Sequence, residues 1–398
     1  MNGPAVTGPF GLNAALSERD QAGLLRSRIA TDGASGGRLR VAGCDYLNFS
    51  ANDYLGLAGH PAIKTAFQEG IDRYGAGAGA SPLVTGYSRA HQQLEEALAD
   101  WLGLEAVLLF NCGFSANQAV LKALLGKEHL LWQDKLNHAS LQEMGSQLPC
   151  KMKRFGHNDM AALERQLEPS RGLIVSEGVF SMDGDQGPWR ELAALAAKSG
   201  NWLMIDDAHG LGVLGPQGRG TLAAQGVAPA SVHIQMGTFG KALGVAGAFV
   251  GGSRELVAYL VNFARHYVYS THMPAAQASA VRQSIALVRA ADEARAQLGL
   301  LITRFRQGAQ ALGWQLGASA TPIQPLLVGE NGAALQLAER LRDCGVWAGA
   351  IRPPTVPVGT ARLRITLSAA HREQDVDRLL DALGPCPADD ERGGTHAS

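Results

Sequence analysis

A single lysine stands among small residues in GTFGKALGVAGAF (237–249), and an amine with so little bulk around it is available for chemistry. On its own, Lys241 reads equally well as a surface lysine in a glycine-rich turn. Three other polar segments change that reading, because each also directly follows an apolar, β-rich run: NCGF after AVLLF, EGVFSMDGD after GLIVS, and DDAHG after NWLMI. In open α/β sheets, ligands sit outside the carboxyl ends of the strands, so four such ends favour a site. A lysine amine condenses with an aldehyde cofactor, and an aspartate keeps a pyridine nitrogen protonated so that the ring withdraws electrons. N–H groups at a helix start bind phosphate. This set of groups points to pyridoxal 5'-phosphate. Desolvation among small residues would depress the pKa of the amine, leaving it able to act as a base once freed.

The elements that must position these residues follow from the alternation between 105 and 250. Short β-rich runs (AVLLF, HLLW, GLIVSE, NWLMID, HIQMGTF, GAFVGG) are separated by helical segments such as FSANQAVLKALLG and WRELAALAAKSG. That pattern predicts βαβ units and a mostly parallel sheet covered on both faces. Helical spacing from Leu12 to about Ile29, then YLNFSAND as a short strand entering a turn, marks an N-terminal arm over 1–55. The large domain is expected over 56–290. A long helical stretch, AAQASAVRQSIALVRAADEARAQLGLLITRFRQGAQALG, leads into a smaller α+β domain over 291–385, built from IQPLLVG, AALQLAERLRD, VWAGAI and RLRITL. The segment 386–398 is expected to be a disordered tail.

Bulk properties narrow the function classes. The chain has 398 residues, 46% hydrophobic and 18% charged, with a formal net charge of -1, so nucleic acid or an anionic membrane is not expected as a partner. Five cysteines without a CxxC pair give neither a disulfide framework nor a zinc site, and no metal is expected. No apolar run reaches the ~20 residues that span a bilayer, and the N-terminus lacks a signal-peptide pattern, so a cytoplasmic protein is expected.

The segments EGVFSMDGD, DDAHGLGVLGPQGRG, GTFGKALG and IRPPTVPVGTARLRIT, with NFSANDYLGL near the start, closely resemble the α-oxoamine synthases. These are fold-type-I pyridoxal phosphate enzymes, with a mostly parallel seven-stranded sheet flanked by helices and a smaller α+β C-terminal domain. The resemblance runs from about Leu12 to Leu383. Within the family, IRPPTVP is similar to the biotin-pathway branch, which condenses L-alanine with a pimeloyl thioester carried on coenzyme A or acyl carrier protein. The alternative is another member, such as a glycine C-acetyltransferase.

Carried over by motif, the resemblance implies that Lys241 holds the cofactor and then removes the Cα proton. It makes Asp206 the partner of the pyridine nitrogen, although Asp207 competes for that role on strand alternation alone. His209 and Ser181 would contact the ring oxygen, and His138 would stack on the ring and assist catalysis. Gly113 and Phe114 would offer backbone N–H groups to the phosphate, and Thr238 a hydroxyl. Arginine suits a carboxylate because its fork gives two parallel charge-assisted bonds. Arg364 is the best match for alanine, with Arg362 its rival on the same strand face. Arg26, Asn52, Arg352 and Thr355 would shape the substrate pocket, and Tyr269, Ser270 and Thr271 would reach a neighbouring subunit, implying a homodimer.

Without the resemblance, plainer readings of some of these residues prevail. By spacing alone, Arg26 is a solvated helix residue, NCGF a plain strand-to-helix turn, and His138 a helix N-terminal histidine. GAGAGA (75–80) contains GxGxxA but follows the helical PAIKTAFQEGIDRY where a dinucleotide fingerprint needs a strand. A Walker A reading of FGK fails because Ala242 replaces the Ser/Thr. The basic KMKR (151–154) reads as a solvated charged turn, although it could attract an acidic carrier.

Overall fold

The computed structural model describes residues 10–33 and 36–387. Strands β1 (Arg38–Val41) and β2 (Cys44–Asn48) form an antiparallel hairpin. Its two-residue turn has Ala42 at φ 48° and Gly43 at φ 82°, and positive φ at both positions matches the twist of the flanking strands.

A seven-stranded sheet follows, made of β3 (Ala106–Phe110), β4 (Leu130–Asp134), β5 (Lys151–Phe155), β6 (Gly172–Glu177), β7 (Trp202–Asp206), β8 (Ile234–Thr238) and β9 (Ala248–Gly252). Its order is β3-β9-β8-β7-β6-β4-β5, and only β9 runs antiparallel to its neighbours. The reversal follows from chain length. Residues 239–247 are too few for a crossover, which needs a dozen or more, so GAFVGG folds back beside β8. The carboxyl ends of β3, β4, β6, β7 and β8 therefore share one edge. KMKR is a strand instead of the expected turn. It forms the edge strand β5, whose charges face solvent, and Lys153 Nζ bonds Glu168 at 2.9 Å.

Both faces of the sheet are covered. Leu108, Leu131, Val175, Met204 and Val250 pack against the helices Gly113–Leu124 and Arg254–Phe263. Trp132, Ile174, Leu203 and Ile205 pack against the helix Trp189–Ser199. A third cluster runs from Phe49 and Tyr54 of the arm through helix Ala275–Arg289 to Phe305, Leu363 and Ile365, joining the arm, the sheet and the C-terminal part.

The C-terminal part contains β10 (Ile323–Gly329), β11 (Val346–Trp347), β12 (Gly349–Ile351) and β13 (Ala361–Thr366). The antiparallel sheet β10-β13-β12 forms there, but VWAGAI divides: β11 pairs in parallel with β2 of the arm, and β12 pairs with β13. Two expected helices are also interrupted. The stretch after Pro274 breaks at Ala290–Ala291 into Ala275–Arg289 and Asp292–Ala311. The arm helix ends at Gln21, where Gly23 takes φ 64° and its N–H turns back to Asp20 O. Of the expected tail, Cys386 N–H bonds Leu312 O at 2.8 Å, and 388–398 lie outside the described residues.

Candidate active site

Lys241 lies just past β8, at the shared carboxyl edge. Burial pushes its amine down to about 8, against the pull of the Asp206 and Glu177 carboxyls. Its Nζ lies 2.8 Å from His209 Nε2, and His209 Nδ1 lies 2.5 Å from the Tyr54 hydroxyl. Burial first, and then the neighbouring Lys241 charge, hold His209 well below the usual histidine range, so the ring is neutral near pH 7. Burial pushes the Tyr54 hydroxyl up to about 12, although Arg364 pulls the other way.

The two candidate acids separate by face, as alternation requires. Asp206, ending β7, accepts from Asn117 Nδ2 at 2.7 Å and from Ala208 N–H at 3.1 Å. Asp207 turns away and accepts from Thr221 N–H at 2.8 Å and from the Thr221 hydroxyl at 2.6 Å, which fastens the turn after β7. Burial pushes Asp207 up to about 7. Beside Asp206 in the β6–β7 register, Glu177 is buried and raised well above the carboxylate range, first by burial and then by Asp206. Its Oε1 has no hydrogen-bond partner.

Helix Gly113–Leu124 starts at the end of β3, so Gly113 and Phe114 occupy its first turn, where N–H groups have no intrahelical partner. A Cβ added to Gly113 would meet Thr238 Cβ at 3.9 Å, which places this helix start beside Thr238. The Thr238 hydroxyl donates to Gly247 O at 2.8 Å and accepts from Gly240 N–H at 3.3 Å, pinning the turn that carries Lys241. His138 caps the helix Ala139–Gln147, and its ring meets Phe114 edge-on, with centroids 6.2 Å apart. Burial pushes the His138 pKa down; Asp206 opposes this and Lys241 adds to it.

The arginine rivals also separate. Arg362 is committed to Asp183 at 2.6 Å. Arg364 donates to Ser181 O at 2.6 Å and to Asn52 Oδ1 at 3.1 and 3.2 Å. The loop carrying Ser181 is braced by His157, which sits 3.0 Å from Asp134 and 2.7 Å from Asp185. Burial opposes a charge on His157, but the two aspartates prevail and push it to about 10.

Arg26, Arg352 and Thr355 form a second group. Arg26 bonds the Thr355 hydroxyl at 3.2 Å, and Arg352 donates to Gly23 O. They line a cleft of about 620 Å³ between the arm and the loop after β12. Ile351, the last residue of β12, lies opposite Arg362 of β13, so that loop starts two residues along β13 from Arg364.

Several residues of this site were given no role by sequence reasoning. Tyr54 and Glu177 lie within quoted motifs, NFSANDYLGL and EGVFSMDGD, so their positions were visible. Asn117 is one helical turn past Gly113, and that spacing was its only signal. Ser140, two residues after His138, carried none.

Pyridoxal phosphate suits this donor set. A half-buried amine of depressed pKa, a buried carboxylate on the neighbouring strand, and a helix start beside a hydroxyl match an aldehyde, a ring nitrogen and a phosphate.

The profile of the family described as "Aminotransferase class I and II" matches residues 44–383. The chain is 92% identical over 398 residues to the 8-amino-7-oxononanoate synthase of Aeromonas hydrophila subsp. hydrophila, and 85% identical over 396 residues to that of Aeromonas salmonicida, covering 100% of both chains in each case. Among solved structures, a serine palmitoyltransferase from S. paucimobilis with bound PLP and myriocin superposes with a TM-score of 0.88 at 27% identity, covering 94% of this chain and 96% of that one. The chain therefore belongs to the class I and II aminotransferase family of fold-type-I pyridoxal phosphate enzymes and, within it, to the 8-amino-7-oxononanoate synthases.

Proposed function

We propose that this chain uses pyridoxal phosphate to condense L-alanine with a pimeloyl thioester, releasing CO2 and the thiol and giving 8-amino-7-oxononanoate for biotin biosynthesis. The observation that carries this reading is the full-length 92% identity to a protein of that name. The geometry around Lys241 supports the assignment of roles.

When bound, the cofactor would supply an aldehyde for the amino group of alanine and a protonated ring that withdraws electrons from Cα. Lys241 holds the cofactor at rest; once displaced, its neutral amine, available near a pKa of about 8, accepts the Cα proton at Nζ. Asp206 keeps the ring nitrogen protonated, with Asn117 holding the carboxylate in place. His209 and Ser181 bind the phenolic oxygen, and the N–H groups of Gly113 and Phe114, with the Thr238 hydroxyl, bind the phosphate. Arg364 takes the alanine carboxylate with Asn52 beside it, because its fork already presents three nitrogens there. His138, at the start of its helix and edge-on to Phe114, would polarise the acyl carbonyl as the new C–C bond forms and the thiolate leaves. Arg26, Arg352 and Thr355 orient the acyl substrate at the mouth of the cleft. CO2 then departs, since the new ketone accepts its electron pair.

A homodimer fits the surface beside the site, where Val84 and Tyr269 are 73% and 71% exposed and Thr271 O accepts from Asn111 Nδ2 at 2.8 Å. No described helix is long and apolar enough to cross a membrane, and we place the reaction in the cytoplasm. The test is product analysis by mass spectrometry with L-alanine or glycine against pimeloyl-CoA, pimeloyl carrier protein or acetyl-CoA. The expected result is 8-amino-7-oxononanoate from alanine and one or both pimeloyl donors; a preference for glycine with acetyl-CoA would overturn the reading.

A further inference from the structure

A chain of hydrogen bonds runs from Asp206 to His138 through two side chains, and each link has only one chemically sensible direction. A carboxylate can only accept, so the Asn117 group 2.7 Å from Asp206 Oδ2 is the amide nitrogen; the reversed amide would set oxygen against oxygen. The same Nδ2 lies 2.9 Å from Ser140 Oγ, to which it can only donate. Ser140, accepting there, has its single proton left for the atom 2.8 Å away, His138 Nδ1. A second donor reaches the same nitrogen independently: the Ser140 backbone N–H, at 3.2 Å. His138 Nδ1 is thus an acceptor twice over, and the remaining ring proton must sit on Nε2.

The path is sheltered. Asn117 and Ser140 are 1% and 0% exposed, so water does not compete for these bonds. The two residues come from different helices, Gly113–Leu124 and Ala139–Gln147, that pack side by side. Asn117 Oδ1 has no hydrogen-bond partner, so nothing on that side of the amide favours the reverse orientation.

We infer that Asn117 and Ser140 are positioning residues that transmit the orientation of the Asp206 carboxylate to His138, fixing it as the Nε2–H tautomer so that it presents a proton donor to the reacting acyl oxygen. The inference rests on the proposed function for the acyl acceptor, but the tautomer can be measured without any substrate. Fixing one tautomer also keeps the cofactor's acid and the donor histidine in a constant relative geometry.

The experiment is nitrogen-15 NMR of the holoenzyme labelled at histidine, with the His138 signals assigned by their loss in His138→Gln. The expected spectrum shows His138 with a bare Nδ1 and a protonated Nε2; a protonated Nδ1 would overturn the inference, whatever the enzyme's substrate. Ser140→Ala keeps the longer backbone N–H contact but loses the 2.8 Å hydroxyl bond, and should then allow the second tautomer to appear and lower kcat by about tenfold or more, with KM for L-alanine and cofactor affinity within about twofold of wild type. Ser140→Thr, which restores the hydroxyl, should recover the single tautomer and most of kcat. A Ser140→Ala enzyme with unchanged tautomer and unchanged kcat would show that the hydroxyl merely packs, and the positioning role would be lost.

Discussion

The groups around Lys241 and those around Arg352 solve opposite problems. His209, Tyr54, Asp206 and Asn117 are buried side chains and Lys241 a half-buried one, joined by hydrogen bonds of 2.5 to 2.8 Å, and burial shifts the proton affinities of Lys241, His209 and Tyr54. Arg26, Arg352 and Thr355 project from an arm and a loop into an open cleft, bonded to each other's segments. Burial tunes a proton donor or acceptor but cannot admit a varied or bulky acyl carrier; an open arginine pair admits one. Under the proposed function, the first region carries the chemistry and the second the recognition.

Breaking the buried region should have the largest effect. Lys241→Ala should lower turnover by about 10^4-fold or more, measured as product formed from alanine and the acyl donor, because no second amine replaces the lost base. Arg364→Ala should reduce kcat/KM for L-alanine by about 100-fold through KM, in steady-state assays, as the carboxylate loses a bidentate partner. Arg362→Ala sharpens that contrast. It removes the Asp183 pair, and alanine KM should move only a few-fold. In the open region, Arg26→Ala or Arg352→Ala should raise KM for the pimeloyl thioester by about tenfold while alanine binding, followed by the cofactor absorbance, stays the same. A loss of alanine binding there would erase the distinction between the two regions.

The smallest effect is one of pH. In cofactor-free protein, Lys241 should react with an amine acylating reagent along a titration centred at about 8, because burial favours the neutral amine. The sign is that labelling rises as pH rises through 8, where an exposed lysine would wait until above 10. Peptide mapping of the labelled residue reads the midpoint directly.

Much of the buried region was legible in sequence because it sits at strand ends: alternation marked the strands, and the polar residue after each run marked the edge. What the sequence left open was the choice within pairs. Asp206 against Asp207 and Arg362 against Arg364 depend on which neighbour each side chain meets, Asn117 or Thr221, Asp183 or Ser181, and those neighbours are 14 to 183 positions away. The split of VWAGAI between two sheets was hidden for a similar reason, since β11 pairs with an arm strand that local pattern cannot name. KMKR misled because the charges of an edge strand resemble those of a turn. The arm cleft was visible only through resemblance: nothing in the helical spacing around Arg26 points to Thr355.

Reducing the holoenzyme with borohydride and mapping the modified peptide by mass spectrometry tests whether Lys241 holds the cofactor. A single pyridoxyl group on Lys241 is expected. A pyridoxyl group on any other lysine, or an unmodified Lys241 in protein that retains the cofactor, would contradict it.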